Sequence, residues 1–135
     1  MIAFHGTADP IVTYAGGGLN SVRIAEIDLW KGNPPKNLPV DRGLDVSMET
    51  WALHNRCDPD PTETRIASEV RLRTWHDCAA ATEFYIVDGG GHSWPGKPVP
   101  GFEKQFGHTT TEIDASTLIF RFLFAQRLHP THAED

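Results

Sequence analysis

Two residues in this 135-residue chain stand where acid–base chemistry would need them: Asp9 and His92. Each follows a short apolar run. Ile2-Ala3-Phe4-His5 leads through Gly6-Thr7-Ala8 to Asp9, and Phe84-Tyr85-Ile86-Val87 leads through Asp88 and three glycines to His92. A histidine acting as a general base has to be held in one tautomer, and a carboxylate that accepts its Nδ1 proton does so while stabilising the imidazolium. Plainer readings stand beside this one. Asp9 precedes Pro10, which pushes it toward extended backbone, and a lone aspartate in an Asp-Pro turn is more often a turn residue. A lone histidine in a glycine-rich loop, such as His92, is often just a solvated side chain. The serines are Ser21, Ser47, Ser68, Ser93 and Ser116, and none lies in a Gly-x-Ser-x-Gly elbow. Ser93 adjoins His92 in sequence, which does not bring its hydroxyl in line with that imidazole. The chain therefore carries a candidate acid and base without an evident nucleophile.

The remaining chemistry-bearing residues add less. His5 is expected to pack near its strand end and to hydrogen-bond within the loop. His108, ahead of the last helix, is a further candidate for the site, while His54, His76, His129 and His132 read as surface. His5, Asp9 and His92 are ligand types, but no His-Glu-x-x-His or other clustered spacing accompanies them, so no metal is expected. Cys57 and Cys78 are too few for a disulfide scaffold and lack metal spacing. Two free thiols and one bridge remain equal alternatives from the residues alone.

The elements that would position these groups follow from hydropathy patterning. Residues 2–5 read as a buried parallel strand. From Tyr14 to Gly43 the chain is rich in turn formers yet holds Val22, Ile24, Ile27, Leu29 and Trp30, the pattern of a packed excursion. Leu44, Met48, Trp51, Ala52 and Asn55 lie at helical spacing, with Asp45 or Ser47 as N-cap. Glu69–Trp75 alternates polar and apolar residues, as a half-exposed strand does. Phe84–Val87 suits a strand covered on both faces. Ala115, Leu118, Ile119, Phe122 and Leu123 mark one face of a final helix capped by Thr111, with Pro130 beyond its end. This order predicts an α/β fold with parallel strands and flanking helices in a single domain over 1–135. In open sheets of that class, function collects at the carboxyl ends of strands, where Asp9 and His92 both fall.

Composition narrows the partners. Twelve Lys and Arg against eighteen Asp and Glu give a formal charge of −6, with the basic residues scattered, so no nucleic acid is expected. No window approaches the roughly 18 apolar residues of a membrane span, so no membrane partner is expected. The opening Met1-Ile2-Ala3-Phe4-His5-Gly6 lacks a basic n-region and a long apolar h-region. It reads as a strand beginning at the first residue, which suggests the later part of a longer domain.

Five segments, taken in order, resemble the polyhydroxybutyrate depolymerase and feruloyl esterase family of α/β-hydrolases. They are His5-Gly6-Thr7-Ala8-Asp9-Pro10-Ile11-Val12, Trp51-Ala52-Leu53-His54-Asn55-Arg56-Cys57, Trp75-His76-Asp77-Cys78, Gly89-Gly90-Gly91-His92-Ser93-Trp94-Pro95-Gly96 and Glu112-Ile113-Asp114-Ala115-Ser116. The resemblance runs from residue 1 to about residue 126, and the glycine–histidine segment is its most specific part. It implies the C-terminal half of an α/β-hydrolase fold, with Asp9 as triad acid and His92 as general base, in the order Ser…Asp…His. It implies a Cys57–Cys78 disulfide and an extracellular or periplasmic parent protein. Trp94 would stiffen the histidine loop and line an acyl or aromatic pocket, the alternative being plain packing. The implied activity is carboxylic ester hydrolysis without a cofactor, on a polyester or a polysaccharide-linked ester. The chain departs from the family in lacking the nucleophile elbow and the oxyanion-hole backbone, so inactivity of the chain alone and self-association through an uncovered sheet edge are expected. Two alternatives accompany this reading: a related α/β-hydrolase such as a serine peptidase, and a non-catalytic hydrolase half acting in binding.

Overall fold

The apolar run Phe84–Val87 lies at the middle of the molecule because every second residue on both its faces finds a cover. In the computed structural model, which describes residues 1–17 and 42–126, it belongs to strand β4 (Thr82–Val87). On one side lies β1 (Ile2–Gly6). On the other lies β3 (Val70–Trp75), with β2 (Thr62–Arg65) beyond it. The excursion expected between Tyr14 and Gly43 falls mostly outside the described residues, as do Ser21, His129, Pro130 and His132.

β1 pairs with β4 in parallel, His5 opposite Ile86 and Gly6 opposite Val87. β3 runs antiparallel to β4, and β2 antiparallel to β3. The molecule is thus α/β-like with a mixed four-stranded sheet, which corrects the expectation of parallel strands throughout. The reason is the short connection over residues 76–81. A link of that length turns the chain back on itself, whereas a parallel neighbour needs a long crossover. β2 escapes sequence reading because Thr62-Glu63-Thr64-Arg65 contains no apolar residue. It forms an exposed edge strand held by its ladder to β3 and by ion pairs from Glu63 to Arg71 (2.9 Å) and Arg73 (2.8 Å).

One face of the sheet is covered by helix α1 (Leu44–His54), whose Met48 and Ala52 bury against Trp75, Phe84 and Ile86. Trp51 lies off this stripe and is half exposed, contrary to its expected place on the apolar face. Gly43 occupies the N-cap position without a side-chain cap, in place of Asp45 or Ser47. Ser47 instead donates to the Gly43 carbonyl (2.9 Å). Asp45 accepts from the Tyr14 hydroxyl (2.8 Å) and pairs with Arg73 (2.8 Å). The bond between Cys57 and Cys78 (S–S 2.09 Å) ties the end of α1 to the β3–β4 connection. After β4 come a helical turn, α2 (Glu103–Phe106), and helix α3 (Ala115–Ala125), which lies against β1. Asp114, rather than Thr111, caps α3 by accepting from the Thr117 N–H (2.8 Å). Ala115 is buried and Leu118, Ile119 and Phe122 are half buried, but Leu123 is exposed. Among the described residues no helix is long and apolar enough to cross a membrane.

Candidate active site

Because β1 and β4 are parallel neighbours, their carboxyl ends open on the same edge of the sheet, and the loops that follow them meet there. The Thr7 N–H donates to the Val87 carbonyl and the Ala8 N–H to the Gly90 carbonyl, each at 2.9 Å. This contact is backbone against backbone. A Cβ on Gly6 would fall 2.1 Å from the Gly90 oxygen, and one on Gly91 would fall 2.0 Å from the Phe106 oxygen. Only residues without a side chain let the three segments approach so closely. The Gly91 N–H in turn donates to the His108 carbonyl (2.8 Å), so the stretch leading to Thr109 braces the histidine loop from its far side.

The loops bring Asp9 and His92 together. Asp9 is only 7% exposed and divides its oxygens. Oδ1 accepts from the Ile11 and Val12 N–H groups at 2.8 and 2.9 Å, which makes the turn read from Asp9-Pro10. Oδ2 lies 2.9 Å from His92 Nδ1. The turn residue and the candidate acid are therefore one side chain with two functions. An ionised carboxylate only accepts, so Nδ1 carries the proton and the neutral ring keeps its lone pair on Nε2. That nitrogen makes no hydrogen bond among the described residues, and the ring, about half exposed, borders the cavity.

The electrostatics agree with the geometry. Burial pushes the Asp9 carboxyl up, but hydrogen bonds from His92, Ile11 and Val12 and the nearby imidazole charge outweigh it and hold the group below its ordinary value. The bond to Asp9 raises the proton affinity of His92 above that of an ordinary histidine, against the opposing effect of partial burial. The arrangement is a base oriented and strengthened by a buried carboxylate.

His92 stands between two cavities. One, of about 450 Å³, is bordered by His5, Asp9, Trp94, His108 and Thr110. The other, of about 470 Å³, is bordered by Trp94, Lys97, Val99, Phe102 and Ser116. Trp94 is half exposed and its indole N–H donates to Ser116 Oγ (3.0 Å), which fixes the ring between the two spaces. His108 borders the first cavity, its Nε2 2.9 Å from Glu69 Oε2. Glu69 gave no functional signal in the sequence, because its partner is 39 residues away. Ser93 Oγ donates to the His108 carbonyl (3.2 Å). His54 and His76 are exposed. Among the described residues no group of three or more His, Cys, Asp or Glu side chains is arranged to hold a metal ion. No family model, no curated protein and no solved structure matches this chain.

Proposed function

We propose that this chain is the acid-and-base half of a serine esterase of the α/β-hydrolase type, similar to the polyhydroxybutyrate depolymerases and feruloyl esterases. The observation that carries the reading is the 2.9 Å contact between buried Asp9 Oδ2 and His92 Nδ1 at the carboxyl ends of two parallel, adjacent strands. The nucleophile lies on a segment outside these residues, in a Gly-x-Ser-x-Gly elbow that presents its hydroxyl to Nε2. In this mechanism the serine oxygen bonds to the ester carbonyl carbon while His92 Nε2 takes the hydroxyl proton. The carbon–oxygen bond to the alcohol then breaks, and the alcohol leaves with the proton from His92. Water attacks the acyl-enzyme by the same route and restores the serine. Asp9 stays ionised throughout and offsets the charge on the imidazolium. Trp94 and the cavities beside it hold the acyl or alcohol portion of a carboxylic ester.

The Cys57–Cys78 bond is in keeping with an oxidising, extracellular or periplasmic location for the parent protein. The edge of β1 that pairs with no strand among the described residues is where the remaining strands of such a fold would dock.

The test is to read the gene upstream of Met1, express the joined protein, and assay hydrolysis of a short-chain aryl ester. Turnover is expected from the joined protein and none above background from residues 1–135. His92→Ala in the joined protein should lower kcat by orders of magnitude. Full activity of that variant sinks the proposal, as does turnover by residues 1–135 that Ser93→Ala abolishes. A gene with no Gly-x-Ser-x-Gly upstream would favour a binding module instead.

A further inference from the structure

Asp9 faces a second imidazole. His5, on β1, has a side chain only 12% exposed, and its Nε2 lies 3.6 Å from the same Oδ2 that His92 Nδ1 approaches at 2.9 Å. His5 Nδ1 lies 2.9 Å from the Gly6 carbonyl oxygen. A carbonyl can only accept, so Nδ1 carries the proton, and the neutral ring turns a bare Nε2 lone pair toward a carboxylate. Protonation at Nε2 converts that repulsion into attraction. Yet one carboxylate oxygen cannot favour two neighbouring positive charges equally. Once His5 is an imidazolium, its charge beside Asp9 disfavours a second one on His92.

We propose that His5 is a positioning residue that competes with His92 for Asp9 Oδ2, so that protonating His5 loosens the carboxylate's hold on His92 and lowers the proton affinity of the base. Among the described residues, the titratable groups around His5 are few. Asp9 lies on the loop after β1, and Tyr14 meets the His5 ring edge-on with centroids 6.0 Å apart. His92 and His108 reach the shared cavity from the segments after β4. β4 presents Ile86 in register with His5, which carries no charge. Asp45 of α1 and Arg73 of β3 stand behind the Tyr14 hydroxyl, paired with one another. Among the described residues, Asp9 is thus the one carboxylate in direct reach of both imidazoles. The coupling is a property of these three side chains. Only its catalytic consequence, an acid limb of activity shallower than one histidine titration gives, rests on the esterase reading.

The experiment is an NMR titration of the full chain with ¹⁵N-labelled histidine, following the His5 and His92 ring signals. In the unmodified chain, the His92 signals are expected to shift in two steps. His5→Asn retains a nitrogen able to donate to the Gly6 carbonyl but has no basic site. There His92 should titrate in one step, with its midpoint raised by on the order of one pH unit. His5→Phe, which keeps a ring against Tyr14, should do the same. A one-step His92 curve in the unmodified chain, or midpoints unmoved in both variants, overturns the proposal, and the first outcome needs no variant to fold. Two-step behaviour in a protein whose joined form hydrolyses no ester would keep the coupling and discard the esterase. One-step behaviour in an active joined enzyme would do the reverse.

Discussion

At the scale of single residues, the two oxygens of Asp9 cannot be exchanged for an amide without conflict. Oδ1 is bound by two backbone N–H groups, so an Asn at this position keeps its oxygen there and turns its NH₂ toward His92. That group donates, which drives the imidazole proton to Nε2 and leaves no lone pair where a base needs one. Asp9→Asn is therefore expected to leave the fold intact, to move the His92 proton to Nε2 in ¹⁵N spectra and, on the esterase reading, to lower kcat of the joined protein by about 10⁴. The same pair sets a pH window. The folded-state value of His92 is raised, so its contribution to stability is complete below 6.5 and is lost as pH rises through the higher folded value. The value for Asp9 is lowered, so its contribution is complete above 3.8 and is lost as pH falls through the lower folded value. Thermal midpoints measured across pH should fall at both limits, and Asp9→Asn should flatten both. On the esterase reading, kcat/KM rises with pH as His92 loses its proton, with a midpoint above 6.5.

At the scale of elements, the histidine loop is held by backbone rather than by side chains. Gly91→Ala would place a carbon 2.0 Å from the Phe106 oxygen, and moving that backbone also disturbs the bond from Gly91 to His108. A loss of about 2 kcal/mol is expected, with the Asp9–His92 signals altered; Ser93→Ala, on the same loop, should change little. Equilibrium denaturation of both variants checks this. The disulfide acts on another element pair, closing a separation of 21 residues between α1 and the β3–β4 connection. By the chain-entropy relation, its reduction should cost about 3 kcal/mol, read as a lower denaturation midpoint in reductant. The α1 stripe and the β4 run were legible in the sequence because Met48, Ala52 and the 84–87 segment bury as their spacing implies. The caps were not, since Asp45 has a better use in its contacts with Tyr14 and Arg73. β2 was not, since four exposed residues join a sheet only because β3 offers them a ladder.

At the scale of the molecule, apolar surface is left without cover among the described residues. Phe124 of α3 is 84% exposed, Phe120 and Leu123 stand beside it, and β1 pairs on one side only among the described residues. Exposed apolar faces and open strand edges favour association with another chain. Sedimentation velocity should show concentration-dependent self-association of residues 1–135, weakened by the double change Phe120→Lys and Phe124→Glu. On the esterase reading, the joined protein should remain monomeric, because the upstream half would cover this surface. A monodisperse 1–135 chain at all concentrations would mean that these faces are tolerated in water.

What could be read along the chain was local. Apolar runs marked β1 and β4, glycines and an Asp-Pro step marked the turns after them, and helical spacing marked α1 and α3. The residue types then named an acid and a base, because carboxylate and imidazole chemistry is intrinsic to the side chain. What could not be read was anything depending on partners distant along the chain. The direction of β3, the division of labour between the Asp9 oxygens, and the partnership of His108 with Glu69 all needed the folded molecule. So did the approach of His5 to Asp9 Oδ2. That approach is set by how β1 enters its turn, and the turn is set by two backbone donors that no composition or spacing reveals.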